Sequence, residues 1–448
     1  MKILGIETSC DETGICLIET DSDFSNNRRI KILGNQLYSQ VAMHTQFGGV
    51  VPMMAKREHA KNLVPLFEKC LEESELLKMK MDPILDLDFL RTIVSVEIGS
   101  TPVVQRDDRK EKLEKIKEIL FRENDLFDQL KNLAEKIERP DIDAIAVTNG
   151  PGLEPALWVG VVFAKALSEI WNIPVIPTNH MEGHIVVAQI SPTAEPRRLD
   201  AEERGKEKTN EPITYKLKPI TFPSIALLIS GGHTQLVLIK DNLQYEIIGN
   251  TKDDAVGEAF DKVARLLGLP YPGGRLVSEL AEKERNEFPN KKAPYPLPRP
   301  MIHSKDLDFS FSGIKTAVLY TIKKIQGVAQ TSEIQQQSAS NPLLSATVKA
   351  EIACEFENAV VEVLISKTKK AIEQYGAKTL IIGGGVSANK KIRNDFEQES
   401  KNLGITFLIP EVKSSTDNAV MIAIAGLLNI QAGKQPEVDF KANGNLSL

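Results

Sequence analysis

Short apolar runs separated by polar turns open both halves of the chain. Lys2–Ile6 and Ile15–Ile18 predict two strands on either side of a polar turn. Ser224–Ile229 and Thr234–Ile239 predict a second pair of strands, joined by the turn Ser230–Gly232. Two strand–turn–strand units, each opening one half of the chain, indicate a duplicated domain, although two unrelated hairpins would leave the same pattern.

Strands alternate with helices after each of these hairpins. A strand at Ala144–Thr148 leads through a glycine–proline–glycine turn into a helical stretch. Thr379–Ile382 leads through Gly383–Gly385 into a helix that begins near Ala388. Two further strands and a last helix are predicted at Val175–Pro177, Thr406–Ile409 and Asp417–Leu428. This alternation implies mixed α/β layers.

Three segments interrupt the alternation. Leu76–Pro140 holds a charged helical run with one apolar stripe. Its mixed charges favour a solvated helical excursion, with a partner-docking or tRNA-contacting surface as the alternative. Ser191–Lys218 and Gln326–Ser345 are rich in polar residues and predict exposed loops. The predicted organisation is an N-terminal α/β lobe over 1–190 with a helical insertion at about 76–140, an exposed loop over 191–220 and a C-terminal α/β lobe over 221–448.

Composition is that of a soluble globular protein. The 448 residues are 42% hydrophobic and 26% charged, and a chain of this length is expected to form two domains. A net charge of −6 excludes a globally basic surface but leaves room for a local basic groove. The four cysteines lie far apart, which suits reduced thiols. With no signal peptide and no run near the about 20 apolar residues that span a bilayer, a cytoplasmic protein without membrane attachment is expected.

The sharpest local pattern is His180-Met181-Glu182-Gly183-His184. Imidazoles at positions i and i+4 share one helix face and can reach one cation, and the chain has only six histidines. The pattern therefore predicts a metal site rather than two unconnected histidines. A zinc protease is excluded, because its glutamate follows the first histidine directly, whereas Glu182 lies about 200° around the helix from His180.

Two histidines need a further ligand. Asp417, just before the last apolar helix, would complete a set that leaves coordination positions open for substrate. The same residue would also serve as the N-cap of that helix, a role that Ser, Thr, Asp and Asn all favour. The residues alone leave both interpretations open.

Three glycine-rich turns form the second chemical feature. They occupy Ser230–Thr234, Gly383–Asn389 and Tyr271–Gly274. Turns of this kind direct backbone amides at a phosphate or carboxylate, and in a duplicated α/β chain they favour a nucleotide-type ligand. None of them matches the GxxxxGK[ST] pattern, so a P-loop is excluded.

Acidic residues form a third group. Asp11 lies in the first turn, and four further carboxylates are Asp253, Asp254, Glu258 and Asp261. Glu258 and Asp261 are three apart on a predicted helix and would share a face. They could bind ribose hydroxyls or a second metal, but their spacing alone favours a solvated helix face with intrahelical pairs.

Nine short motifs follow one another along the chain. They are GIETSCDETG at 5–14, NQLYSQVAMHTQFGGVVP at 35–52, GPGL at 150–153, HMEGH at 180–184, SGGHTQL at 230–236, GEAFDKVARLLGLPYPGG at 257–274, DFSFSGIKT at 308–316, GGVSAN at 384–389 and STDNAVMIA at 415–423. Together and in this order they resemble the motifs of the bacterial tRNA N6-adenosine threonylcarbamoyltransferases, the TsaD type. The ordered set is far more specific than the histidine pair alone.

The resemblance implies a duplicated actin-like ATPase (ASKHA) fold, with two related α/β lobes around a central cleft. It also implies one divalent metal per subunit, Fe²⁺ or Zn²⁺, on His180, His184 and Asp417, which decides the open choice at Asp417 in favour of a ligand. The family's acidic residue after the YPGG turn is replaced here by Ser278, so that role is not transferred. The substrate-binding positions of the family map onto Leu228, Ile229, Ser230, Gly231, Gly232, Asp261, Gly274 and Asn389.

The implied reaction moves the threonylcarbamoyl group of threonylcarbamoyl-AMP to the N6 amine of adenosine 37 in tRNAs that read codons beginning with A. It forms t6A and releases AMP, and the cleft would hold the donor or an adenine nucleotide. The implied partners are tRNA, a TsaB-like paralogue, a TsaE-like ATPase and a separate synthase that makes the donor. No motif identifies the general base, and Asp11 and Glu12 are candidates by fold analogy.

Three other interpretations remain. A phosphotransferase or ATPase on this fold would turn over ATP without tRNA, but such enzymes hold Mg²⁺ through oxygen ligands rather than paired histidines. An O-carbamoyltransferase acting on a small molecule usually carries a further, adenylate-forming domain, for which this chain has no room. A non-catalytic scaffold paralogue is disfavoured, because paralogues of that kind lack the histidine pair.

Overall fold

The computed structural model describes residues 1–20, 29–80, 104–193, 213–327 and 344–448. Within these ranges no helix combines the length and the apolar character needed to cross a membrane. Each interrupting segment lies partly outside the described residues, namely 81–103 of the helical insertion, 194–212 of the first predicted loop and 328–343 of the second.

A seven-stranded sheet with helices packed on it forms the first lobe. Its strands are β1 (Lys2–Glu7), β2 (Glu12–Thr20), β3 (Arg29–Ser39), β4 (Ala144–Gly150), β5 (Val175–Asn179), β6 (Ile190–Pro192) and β7 (Thr214–Leu217). Its helices are α1 (Val41–Thr45), α2 (Pro52–Glu73), α3 (Val104–Ile119), α4 (Asn124–Lys136), α5 (Glu154–Trp171) and α6 (His180–Val187).

A five-stranded sheet forms the second lobe. Its strands are β8 (Ser224–Ile229), β9 (Thr234–Asp241), β10 (Gln244–Asn250), β11 (Thr379–Gly383) and β12 (Thr406–Leu408). The helices that follow β10 in the chain are α7 (Val256–Leu266), α8 (Gly274–Glu287), α9 (Ser312–Ile325), α10 (Ala346–Tyr375), α11 (Lys390–Leu403) and α12 (Ala419–Gln431). Two short 3₁₀ turns lie at Gly385–Ala388 and Val412–Ser414.

The two sheets share one strand order and one pattern of strand directions. In the first, β1 lies between antiparallel β2 and parallel β4, with β3 beyond β2 and β5 beyond β4. In the second, β8, β9, β10, β11 and β12 take the places of β1 to β5 in turn. The predicted duplication and the two-lobed α/β fold are therefore confirmed, and each lobe opens on one of the predicted hairpins.

The helical insertion folds back onto the first lobe. Ile116 and Leu120 of the α3 segment and Leu130 of α4 are buried in the same apolar core as α2 and α5. Charged residues lie on the opposite face, where Lys115 and Glu111 pair at the surface. The apolar stripe is therefore an anchor, and the charged face is solvated as predicted.

The end of the first predicted loop is structured. β7 pairs with β3 on one side and with β6 on the other, and it buries Tyr215. An exposed loop is the wrong description for these residues, because the edge of β3 offers them a hydrogen-bond ladder. The lobe boundaries at 190 and 220 stay a prediction.

Helix α12 comes from the second half of the chain but packs on the first lobe. All of its residues from Ala419 to Asn429 are buried, as an apolar helix without a polar face requires. It contacts β1, β2, β4, β5 and α6. The approach is so close that a Cβ at Gly5 would overlap the carbonyl oxygen of Ala419, and one at Gly426 would overlap Ala146. The N-terminus of α12 thereby reaches the site described below.

Gly426→Ala is expected to lower the free energy of unfolding by about 2 kcal/mol, because the added methyl group has no room beside Ala146. Urea denaturation followed by circular dichroism measures this change. Gly313→Ala in α9 is the matched control, since a Cβ there meets nothing closer than Pro300 at 3.6 Å. The control is expected to keep or raise the free energy of unfolding. Equal free energies of unfolding for the two variants would contradict the close packing of α12 on the sheet.

Candidate functional site

Helix α6 presents both histidines from a capped, buried position. β5 ends at Asn179, whose side-chain oxygen accepts hydrogen bonds from the backbone N–H groups of Met181 (2.9 Å) and Glu182 (3.3 Å). His180 is the first residue of the helix and His184 follows one turn later, so their rings lie together with centroids 4.8 Å apart. Both imidazoles are buried, and the predicted shared face is confirmed.

Asp417 meets both imidazoles from the loop before α12. Its Oδ1 lies 3.2 Å from Nε2 of His184 and 3.5 Å from Nε2 of His180. The N-cap of α12 is Asn418, whose side chain accepts from the backbone N–H of Met421 at 3.1 Å. The capping interpretation of Asp417 is therefore wrong, and its carboxylate is left to face the histidines.

This geometry fits a single metal ion. Each of His180, His184 and Asp417 offers one ligand atom, and these atoms all lie within 4.8 Å of one another. Ligand atoms at about 2.0–2.2 Å from one cation stand roughly 3.0–3.5 Å apart. Oδ1 of Asp417 lies at 3.2 Å and 3.5 Å from the two imidazole nitrogens, within that range. Three protein ligands also leave coordination positions open, as in catalytic rather than structural sites.

Glu7 supports this cluster and was missed by sequence reasoning. Its Oε2 lies 3.1 Å from Nδ1 of His180 and accepts from the hydroxyl of Thr148 at 2.6 Å, while Oε1 accepts from the backbone N–H of Ser9 at 2.5 Å. A carboxylate on the far ring nitrogen keeps the proton on Nδ1 and turns Nε2 toward the cation. The sequence predicted a polar turn at this point, but it did not predict that Glu7 would meet Thr148 on β4 and His180 on α6.

Charges in the cluster stabilise one another. Burial opposes charge on His180, but the carboxylates of Asp417 and Glu7 outweigh it and raise the pKa of that imidazole to about 9. Burial likewise opposes charge on the two carboxylates. The histidines nevertheless hold the pKa of Asp417 below its usual value, and His180 does the same for the pKa of Glu7. The pocket is therefore built to hold positive charge between two carboxylates.

The charges of this cluster shift the pKa values of two further groups, Glu12 and His233. Burial, the charge of Asp417 and then that of Asp11 raise the pKa of Glu12 to about 10, so Glu12 is a neutral acid at pH 7 in the metal-free protein. Burial, and then His180 and His184, lower the pKa of His233 to about 4. His233 follows the glycine turn after β8, so that turn stands on the same side of the molecule as the histidine pair.

Glu182 points away from the cluster. Its carboxylate accepts hydrogen bonds from Asn429 at 3.1 Å and from the hydroxyl of Tyr245 at 3.4 Å. This agrees with the helical geometry that excludes a protease, because no general base adjoins the histidines from position i+2.

Three of the predicted substrate residues, Asp261, Gly274 and Asn389, belong to one chain of hydrogen bonds. Oδ1 of Asp261 accepts from the backbone N–H groups of Gly273 (2.8 Å) and Gly274 (3.1 Å). The carbonyl of Gly274 accepts from Ser278, whose hydroxyl in turn accepts from Nδ2 of Asn389 at 2.8 Å. Asp261, Gly274 and Asn389 are thus brought together, and Ser278 joins them.

The turn after β8 offers its backbone. Leu228 and Ile229 bury their side chains in two apolar clusters, so only their main chains could meet a ligand. The hydroxyl of Ser230 accepts from the N–H groups of Gly232 and His233 and shapes the turn. Among the described residues, no atom lies within 4 Å of a Cβ built at Gly231 or Gly232, so this turn is open.

Other acidic residues of the same stretch have structural partners. Glu258 and Asp254 both pair with Lys262, which confirms the intrahelical interpretation for Glu258. Asp253 accepts from the backbone N–H groups of Phe311 and Ser312 at the start of α9. Asp261 alone of the group bonds to a glycine turn.

The family model and the curated relatives agree with each other. The family model described as "TsaD: tRNA N6-adenosine threonylcarbamoyltransferase" matches residues 31–85, 124–199 and 211–424. Much of the helical insertion falls between the first two matched blocks.

Curated relatives carry the same description. A tRNA N6-adenosine threonylcarbamoyltransferase of Polynucleobacter necessarius is 38% identical over 96% of this chain and 93% of its own. Proteins of the same name from Chromobacterium violaceum and Neisseria gonorrhoeae are 38% and 36% identical, over 96% and 97% of this chain and 94% and 95% of their own.

Glu7→Gln is expected to weaken Zn²⁺ binding by about 10- to 100-fold, because the amide keeps the size but loses the charge that holds His180. Competition with a chromophoric chelator measures the affinity. Glu182→Gln is the matched control: it alters a buried carboxylate on the same helix that bonds elsewhere, and it should change Zn²⁺ affinity by less than about twofold. Equal losses in both variants would show that Glu7 acts only through folding.

Metal affinity is expected to rise with pH. In the metal-free protein His180 holds its second proton up to a pKa of about 9, and a bound metal must displace that proton. Below that pKa each ion bound releases a proton, so the association constant for Zn²⁺ should rise by about tenfold per pH unit from about pH 6 to pH 8. Titration at several pH values, corrected for the chelator's own protonation, measures the slope, and a flat profile would contradict this coupling.

Proposed function

The chain belongs to the TsaD family of tRNA N6-adenosine threonylcarbamoyltransferases, and from this premise we propose how its residues perform the reaction. It transfers the threonylcarbamoyl group of threonylcarbamoyl-AMP to the N6 amine of adenosine 37 in tRNA, forming t6A and releasing AMP. The family match, which extends over most of the chain, is the observation that carries this function.

In this proposal His180, His184 and Asp417 hold one divalent metal. Two imidazoles and a carboxylate suit Fe²⁺ or Zn²⁺ rather than Mg²⁺, which prefers oxygen ligands. When bound, the metal would supply Lewis acidity toward the carbonyl or carboxylate oxygens of the donor. Glu7 keeps the ring of His180 in the orientation that this role needs.

The second lobe binds the adenylate part of the donor. The open turn at Gly231 and Gly232 lets the main chain approach a phosphate or carboxylate, as glycine turns after strands do elsewhere. Asp261 holds the Tyr271–Gly274 turn in shape through its two backbone hydrogen bonds. Asn389 faces the same cluster from the start of α11 and completes the nucleotide site.

Asp11 and Glu12 are the proposed groups for the proton that leaves the adenosine amine. Asp11 lies in the turn between β1 and β2, and Glu12 begins β2, where burial and then the carboxylate of Asp417 raise its pKa. A cation beside Asp417 would offset that carboxylate's charge and thereby lower the pKa of Glu12, which favours the ionised form that a base requires.

The partners follow from the chemistry and the family. The substrate is tRNA, and with a net charge of −6 the chain must offer it a local basic surface or share one with a partner. We propose a TsaB-like paralogue and a TsaE-like ATPase as those partners. A separate synthase would provide the donor, and the reaction would take place in the cytoplasm without membrane attachment.

Reconstitution tests the function. Purified protein with its partners, threonylcarbamoyl-AMP and unmodified tRNA is expected to yield t6A on nucleoside analysis. Asp417→Ala should lower the yield by at least about 100-fold, because it removes a charged group that faces both imidazoles. Glu258→Gln, on the solvated face of α7, is the matched control and should retain activity.

The rival interpretations predict other outcomes. A phosphotransferase or ATPase would turn over ATP steadily without tRNA, and Asp417→Ala would leave that turnover intact. An O-carbamoyltransferase would modify a small hydroxyl compound and leave tRNA unmodified. Wild-type protein that gives either result, and no t6A, would refute the proposed function.

A further inference from the structure

A buried carboxylate stands behind the proposed nucleotide site. Glu357, on α10, is 1% exposed, and no sequence motif pointed to it. Its Oε1 accepts from Nδ2 of Asn389 at 2.7 Å, and its Oε2 accepts from Arg285 of α8 at 2.5 Å. Arg285 supplies the charge that a buried carboxylate requires.

The amide of Asn389 is held at both ends. Its Oδ1 caps α11 by accepting from the backbone N–H of Ile392 at 2.9 Å. Its amino group donates to Glu357 and to the hydroxyl of Ser278. A flipped amide would set oxygen against carboxylate and N–H against N–H, so these contacts permit one orientation only.

These hydrogen bonds leave the side chain of Asn389 with one unused hydrogen-bonding position. An amide group has two donor hydrogens and two acceptor lone pairs. Both hydrogens are used by Ser278 and Glu357, and one lone pair is used by Ile392. What stays open on this half-buried side chain is the second lone pair of Oδ1, which only a donor group of a ligand can meet.

We propose that Glu357, held by Arg285, is a positioning residue that fixes Asn389 as a hydrogen-bond acceptor for a ribose hydroxyl of the adenylate. The inference rests on the proposed function in taking Asn389 as part of the nucleotide site. Of the two side chains that accept from the Asn389 amide, Glu357 is the charged one and Ser278 is neutral. It touches Asn389 and not the ligand.

The test compares the binding of AMP, 2′-deoxy-AMP and 3′-deoxy-AMP to the full-length protein by calorimetry. Wild-type protein should prefer AMP to one of the deoxy compounds by about tenfold, the worth of one well-made hydrogen bond. Glu357→Gln should reduce that preference to about twofold, because a glutamine offers either oxygen or amino group and no longer fixes the amide of Asn389. The KM for threonylcarbamoyl-AMP should rise in parallel while kcat changes little.

Glu355→Gln is the matched control. Glu355 is also buried on α10 and also paired with an arginine, but its partners are Arg299 and the backbone of Leu297. This variant should keep the wild-type preference among the three nucleotides. Arg285→Gln, which loosens Glu357 without removing it, serves where Glu357→Gln does not fold, and it should give an intermediate preference.

The outcomes separate this inference from the proposed function. An unchanged ribose preference in Glu357→Gln, or an equal loss of affinity for all three nucleotides, would overturn the positioning role, as would a wild-type protein without any preference. A wild-type protein that makes no t6A, but whose ribose preference depends on Glu357, would overturn the function and uphold the inference.

Discussion

Burial of positive and negative charge at one point is the constraint on which the candidate site depends. Asp417, which is partly buried, and Glu7, which is fully buried, bring two carboxylates against the buried ring of His180. Uncompensated, such charges would be too costly to bury, so the cluster requires a cation, either the proton that raises the pKa of His180 to about 9 or a metal in its place. The rest of the first lobe serves to hold these groups together. Helix α12 contributes most to this, because it lies so close to the sheet that Asp417 reaches His184 of α6, 233 positions earlier in the chain.

The features that repeat along the chain, or that lie within one helical turn, were predictable from the sequence. The paired hairpins predicted the duplication, and the i, i+4 spacing predicted the shared face of His180 and His184. Asp417 was ambiguous, because both roles need a polar residue at a helix start and only the fold shows that Asn418 takes the cap. The packing of α12 on the first lobe could not be predicted either, because the apolar character of a helix requires its burial but does not identify the element against which it packs.

Glu7 and Glu357 show more clearly which residues could not be predicted from the sequence. The local sequence indicates no role for either glutamate, and each role depends on a partner on another element. The proposed roles are also alike, because both carboxylates act through a side chain that would meet the ligand. Residues of this kind carry no spacing signal, since their partners are set by which strand or helix lies next to them in space.

Duplication gives each lobe an equivalent glycine turn, after β4 in the first and after β11 in the second. In the first lobe the chain's own tail occupies that turn: Asn149 accepts from the N–H of Asn443, and Gly152 donates to Gly444. A side chain at Gly150 would overlap the same tail. In the second lobe the backbone carbonyls of His184 and Ile229 crowd Gly383 and Gly384, but no described atom lies within 4 Å of a Cβ built at Gly385, so the turn opens at this glycine. The two equivalent strand ends thus have different surroundings, and this difference favours the proposal that the nucleotide binds at the second lobe.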